Sequence, residues 1–247
     1  MEQKSFNIAI DGPAGAGKST IARLAAKRLG FVYVDTGAMY RAIALYFLRK
    51  GIRPEDVQTI ASLVQGAEIT IRYVDGTQQV ILNGEDVSGQ IRTEEVGNMA
   101  SATSAIPAVR AHLLELQRNL AASANVIMDG RDIGTCILPD ADVKIFLTAS
   151  TSVRAMRRCR ELQEKGMMCN LEEIEQDIIE RDARDMNRET APLKQAEDAM
   201  LLDSSDMTLE QVVQAILEAA FSRGLAPGSQ KASDHADSEA GQTKEEV

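Results

Sequence analysis

Gly12-Pro13-Ala14-Gly15-Ala16-Gly17-Lys18-Ser19, with the apolar run Phe6-Asn7-Ile8-Ala9-Ile10 before it and Ile21, Leu24, Ala25 and Leu29 at helical spacing after it, decides how this chain folds. The octapeptide matches G-x-x-x-x-G-K-[ST], and it stands where that pattern has meaning, between a buried strand and an amphipathic helix. Its glycines let the backbone curl so that successive N–H groups face a phosphate at the helix N-terminus. Gly12, Pro13, Ala14, Gly15, Ala16, Gly17, Lys18, Ser19 and Thr20 thus read as a cradle for ATP. In it Lys18 bridges the β- and γ-phosphates, and the Ser19 hydroxyl ligates Mg²⁺.

Outward from this loop, Gly30 stops the first helix, Phe31 to Val34 reads as a second strand, and a helix from about Ala38 to Lys50 closes at Gly51. Strands alternating with helices predict an α/β fold around a mostly parallel sheet. The alternation breaks over residues 66–92, where short apolar runs are separated by Asp75-Gly76 and Asn83-Gly84, the signature of a small antiparallel β insertion. Helices are expected over about 93–104 and 107–122, with Pro107 suited to a first turn, and buried strands over 125–128 and 143–147. A helix over 151–164 is followed by a second after Asn170, with Glu173 placed for a capping box, and the connection between them reads as a mobile tip. Met200 to Leu202 is a last strand, and Thr208 with Gln211 caps a helix reaching about Arg223. One domain over 1–223 is expected, with a disordered acidic tail at 226–247.

The 247 residues are 44% hydrophobic and 26% charged, the composition of an ordinary globular protein. There is no apolar run of about 18 residues and no signal-peptide core near Met1, so a cytoplasmic protein away from membranes is expected. A net charge of −10 argues against binding nucleic acid. Cys136, Cys159 and Cys169 lack C-x-x-C spacing and are expected as reduced thiols, and His112 as a helix-surface residue.

An acidic protein that handles phosphates must gather its arginines locally. Asp35, Thr36 and Arg41 follow the second strand at the sheet edge where ligands of open α/β folds collect. Asp129, at the end of a hydrophobic strand, is placed to hold Mg²⁺ through water, and Arg131 and Asp132 follow it. Arg181, Asp185 and Arg188, spaced i, i+4 and i+7, share one helix face. Planar guanidinium forks of this kind neutralise and orient two anionic nucleotides.

The segments I-D-G-P-A-G-A-G-K-S-T, V-D-T-G-A-M-Y-R, I-R-T-E-E-V, D-G-R-D-I-G-T and R-D-A-R-D-M-N-R, in that order, make residues 5–223 resemble the bacterial cytidylate kinases. That resemblance implies a P-loop nucleoside monophosphate kinase with a five-stranded central parallel sheet, a CMP-binding insertion at 66–92 and a short helical lid at 157–188. It implies that Arg41, Arg131 and Arg188 hold the CMP phosphate, that Ser101, Arg110 and Asp132 face cytosine, and that Arg181 and Asp185 reach the ribose. Arg157 falls on the ATP side, while Lys18, Arg131 and Arg188 are the catalytic set.

The implied reaction moves the γ-phosphoryl group of ATP to CMP or dCMP on a monomeric enzyme. Two other readings stay open, a P-loop kinase for another acceptor such as UMP and an ATP-binding module without catalysis. A GTPase-type switch fits less well, because Asp86-Val87-Ser88-Gly89 lies in the β insertion and no N-K-x-D motif exists.

Overall fold

Alternation along the first strand sets the layering. In β1 (Asn7–Asp11), Ile8 and Ile10 enter one apolar core and Ala9 enters another on the opposite face, all fully buried. A strand buried on both faces belongs inside a parallel sheet, and the computed structural model, which describes residues 5–226, places it at the centre of one. The loop after β1 leads into α1 (Lys18–Leu29), whose left-handed stop is Gly30 (φ 69°), and then into β2 (Val32–Asp35). Helix α2 (Thr36–Arg49) starts earlier than expected because the Asp35 carboxylate caps it, accepting the Ala38 N–H at 2.9 Å.

A short helix α3 (Val57–Leu63) precedes the insertion, which is an antiparallel sheet of β3 (Ile69–Val74), β4 (Thr77–Leu82) and β5 (Glu85–Asp86). Asp75 and Gly76 (φ 50° and 71°) and Asn83 and Gly84 (φ 49° and 85°) make its tight turns, both pairs left-handed as D-G and N-G hairpins require. Next come α4 (Glu94–Thr103), α5 (Pro107–Ser123) with Pro107 in its first turn, β6 (Val126–Gly130) and β7 (Val143–Thr148). Helices α6 (Thr151–Glu164) and α7 (Leu171–Asn187) form a hairpin, followed by β8 (Met200–Asp203) and α8 (Leu209–Ser222), which carries the expected Thr208/Gln211 capping box.

The five parallel strands lie in the order β2-β6-β1-β7-β8. The chain moves to one side of β1 for β2 and β6 and to the other for β7 and β8, so a crevice opens beyond the C-terminal end of β1. One core packs α2 to α5 and the insertion against the sheet, centred on Met39, Ile43, Phe47 and Met128. The other packs α1 and α8 on the opposite face, around Ile10, Ile145 and Ile216. The insertion also covers the free edge of β2. Gln78 accepts the Asp35 N–H at 2.9 Å and donates to the Asp35 carbonyl at 3.2 Å, imitating a neighbouring strand, and the Tyr73 hydroxyl donates to the Tyr33 carbonyl at 3.1 Å.

Several expectations need correction. Cys159 and Cys169 are disulfide-bonded rather than reduced, because the turn of the α6–α7 hairpin brings their Cα atoms to 5.5 Å; Cys136 is free and exposed. Asn170 caps α7 through the Glu172 N–H, and Arg188 is the residue just past that helix rather than part of it. Leu225, beyond the expected domain end, is buried in the α1/α8 core. His112 is partly buried and its Nε2 lies 2.7 Å from the Ala67 carbonyl oxygen. The tail at 226–247 lies, apart from Ala226, outside the described residues. Among the described residues no helix is long and apolar enough to cross a membrane.

Candidate active site

The crevice is an open cleft of about 590 Å³. Its floor is the loop between β1 and α1. Gly12 (φ 149°) is obligatory there, since a Cβ would fall 1.9 Å from the Leu147 carbonyl oxygen, and Gly17 (φ 86°) turns the chain into α1. Inside the loop the Lys18 ammonium donates to the Pro13 carbonyl at 2.7 Å. Burial, reinforced by Arg131, holds Lys18 well below the usual lysine range, against the pull of Asp129 and Asp11. A phosphate would give this buried cation the counter-charge it lacks.

Beside the loop, the Ser19 hydroxyl donates to Asp129 Oδ2 at 2.8 Å and the Tyr33 hydroxyl to Oδ1 at 3.0 Å. Burial, with Asp35 nearby, pushes Asp129 up to about 6. A hydroxyl and a carboxylate are hard oxygen donors that suit Mg²⁺. Among the described residues no group of three or more His, Cys, Asp or Glu forms a metal site by itself, so a cation here would need further ligands from nucleotide and water.

Above these lie the arginines. Ten Lys or Arg against six Asp or Glu line the cleft, in a chain whose net charge is −10. Ala14, Gly15, Gly17, Lys18, Ser19, Thr20, Asp35, Thr36, Arg41, Ser101, Arg110, Asp129, Arg131, Asp132, Arg157, Arg181, Asp185 and Arg188 all line it, so the fold brings these residues together. Gly12, Pro13 and Ala16 do not, and shape the loop from behind. Asp132 is ion-paired with Arg110 and lies 3.6 Å from Arg188. Arg131 donates to Asp185 at 3.0 Å. Arg181 is held down to about 10 by burial and by Arg131, and Arg41 is lowered chiefly by burial. Arg181 Nε and Arg188 Nη2 are buried and make no hydrogen bond. Thr36 spends its hydroxyl proton on the Asp129 carbonyl at 2.7 Å, and Arg157 is anchored to the Ser204 carbonyl at 2.7 Å.

Three residues escaped assignment. Arg92 faces the cleft from the end of the insertion, 3.6 Å from Asp35; it stood in the I-R-T-E-E-V segment, but nothing in its spacing marked it. Arg154 is buried, donating to the carbonyls of Ala14 and Ala149, each at 2.9 Å, and pairing with Asp182 at 2.7 Å, so it joins the phosphate loop to the α6–α7 hairpin. Asp11 accepts two backbone amides, from Ile133 and Gly134. No local signal announces either role, since Ala14 and Asp182 for Arg154, and Ile133 and Gly134 for Asp11, are remote in sequence.

A phosphate loop at the C-terminal edge of a parallel sheet, facing a wall of arginines, defines a P-loop kinase, an ATP-dependent phosphotransferase. The profile of the cytidylate kinase family matches residues 8–222. A cytidylate kinase of Caldicellulosiruptor saccharolyticus is 51% identical over 87% of this chain and 95% of its own length, and one of Citrifermentans bemidjiense is 49% identical over 92% and 97%. Among solved structures, a gluconokinase from Sinorhizobium meliloti aligns with a TM-score of 0.46 and 14% identity over 90% of this chain and 94% of that one, a likeness too distant to bear on the substrate. The chain belongs to the cytidylate kinase family.

Proposed function

We propose the following division of labour for the ATP-dependent phosphorylation of CMP, and of dCMP, in this cleft. The loop amides and the N-terminus of α1 bind the β-phosphate, and Lys18 leaves the Pro13 carbonyl to bridge the β- and γ-phosphates. Ser19, and Asp129 through water, would hold Mg²⁺, which would supply charge neutralisation at those phosphates. Arg41, Arg131 and Arg188 hold the acceptor phosphate, Ser101, Arg110 and Asp132 the cytosine, and Arg181 with Asp185 the ribose. An oxygen of the CMP phosphate forms the new bond to the γ-phosphorus while the β–γ bridging bond breaks, giving CDP and ADP. That oxygen is already anionic, so no general base is required. The α6–α7 hairpin acts as the lid, with Arg157 on the ATP side, excluding water that would otherwise take the phosphoryl group. The setting is a monomer in the cytoplasm.

The observation that carries this reading is the pair of buried guanidinium donors, Arg181 Nε and Arg188 Nη2, which make no hydrogen bond within the protein. Buried donors of this kind are costly unless a ligand oxygen completes them. The test is Lys18→Ala in a coupled assay of ADP release with CMP, dCMP and UMP. At least about a hundredfold loss of kcat on every acceptor is expected, with the melting temperature preserved. Near-normal turnover would overturn the ATP-site assignment.

A further inference from the structure

We propose that Asp11 is a positioning residue that ties the strand entering the phosphate loop to the turn carrying Arg131 and Asp132. The inference rests on the assignment of those two residues to CMP. Asp11 ends β1, is buried, and does not line the cleft, so it acts on substrate only through what it holds. Its Oδ1 accepts the Ile133 N–H and its Oδ2 the Gly134 N–H, both at 2.8 Å. These amides open the single helical turn Ile133–Ile137, whose preceding residue, Asp132, supplies no side-chain cap. Asp11 therefore does, from the far end of the chain, what a capping side chain does locally.

The segment between is held at both ends. Asp11 is paired with Gly130 in the parallel β1–β6 ladder, while its carboxylate fixes Ile133 and Gly134. Only Arg131 and Asp132 lie between these anchors. The packing leaves little slack: a Cβ on Gly130 would fall 2.6 Å from Ile133 Cδ1, and one on Gly134 3.1 Å from Lys144 Cδ and 3.4 Å from Asp11 Oδ2. Burial pushes the Asp11 carboxyl up to about 6, with the two amide bonds and Lys18 opposing, so the amides are what keep a carboxylate in this place. The strand that launches the ATP loop thereby also sets where the acceptor-side arginine and the base-reading carboxylate stand.

The test is Asp11→Asn, which sets an NH₂ group against one of the two amide donors. The expected result is a roughly tenfold rise in KM for CMP, the effect of one charge-assisted hydrogen bond, with a fall in the CMP:UMP ratio of kcat/KM and KM for ATP within about twofold. Unchanged KM for CMP and unchanged base ratio overturn the proposal, and so does an equal rise in both KM values, which marks a general structural role. Should Asp11→Asn not fold, Gly134→Ala crowds the same contact from the other end and is expected to move the two CMP readouts in the same direction; unchanged values there overturn it as well. Asp132→Asn is measured alongside. A base ratio moved by Asp132→Asn but not by the clamp variants removes the clamp alone, whereas a ratio that Asp132→Asn leaves unmoved removes the site assignment and the clamp with it.

Discussion

Replacing Asp132 by Asn tests how the cleft chooses its base. Cytosine offers an exocyclic amino donor beside acceptors at N3 and O2, whereas uracil presents an acceptor at O4 and a donor at N3. Asp132 is only 3% exposed. Its Oδ2 is committed to Arg110, but Oδ1 faces Arg188 across 3.6 Å, beyond hydrogen-bond distance, and keeps lone pairs for a ligand donor. In the proposed division of labour, with CMP bound, Oδ1 would accept from the cytosine amino group and Arg110 would donate to the acceptor side of the ring. With UMP, O4 would then meet a carboxylate and N3–H a guanidinium, and both contacts would repel.

A hydrogen bond to a charged group contributes about 1.5 to 3 kcal/mol, so the carboxylate's share of the discrimination is roughly 10- to 100-fold. The Asn side chain occupies nearly the same volume and turns its NH₂ toward O4 of UMP, which should lower the CMP:UMP ratio of kcat/KM by that factor. Arg110 also loses its charged partner, so kcat/KM for CMP itself should fall. The assay is initial rate against CMP and UMP at saturating ATP for both proteins. An unchanged ratio with activity retained refutes base reading by Asp132; a fall on both substrates with the ratio unchanged means that Asp132 only holds Arg110 in place.

Two further outcomes concern stability. Asp129 rises from an ordinary 3.8 to about 6 in the fold, so the stability linked to its protonation is present in acid and lost as pH rises from about 4 through about 6; Asp129→Asn should therefore gain melting temperature relative to the native enzyme across that window while losing turnover, and a difference constant from pH 4 to pH 7 would contradict the burial argument. Leu225→Ala should cost about 2 kcal/mol, or roughly 4–8 °C in melting temperature, because Leu225 is buried in the α1/α8 core and its N–H donates to the Ala220 carbonyl at 3.2 Å; an unchanged melting curve would place the end of the domain where the sequence pattern put it.

What could be read from sequence follows from how local each feature is. The phosphate loop was legible because its backbone path admits only glycine at Gly12 and Gly17, and the insertion because D-G and N-G pairs encode their own turn geometry. Helix α3 was missed since only Ile60 among its residues is fully buried, too little for an apolar period to show. The arginines of the cleft could be gathered from the order of the segments that resemble the family. Arg154 could not be told from its neighbours in a strongly charged helix, because its burial depends on Ala14 and Asp182, from two other elements. The Cys159–Cys169 bond and the core position of Leu225 were illegible for the same reason, that partners are chosen by tertiary packing rather than by spacing.

The cleft is also where this fold is least at ease. Burial acts against the charged form of Lys18, Arg41, Arg181 and Arg188 on one side and of Asp129 and Asp132 on the other. Some of these charges compensate one another, as Asp132 does for Arg110 and Asp185 for Arg131. The cations remain in surplus, and Arg181 Nε and Arg188 Nη2, which make no hydrogen bond, belong to that surplus. Phosphate oxygens of two nucleotides are what such a surplus accommodates, so the desolvation that costs stability in the empty protein strengthens binding in the full one. In the proposed division of labour, ATP alone answers Lys18, the loop amides and Arg157. The acceptor-side arginines, only partly compensated by Asp132 and Asp185, keep unmade hydrogen bonds at Arg181 Nε and Arg188 Nη2 until CMP arrives, which gives the second nucleotide its own electrostatic reason to complete and close the site.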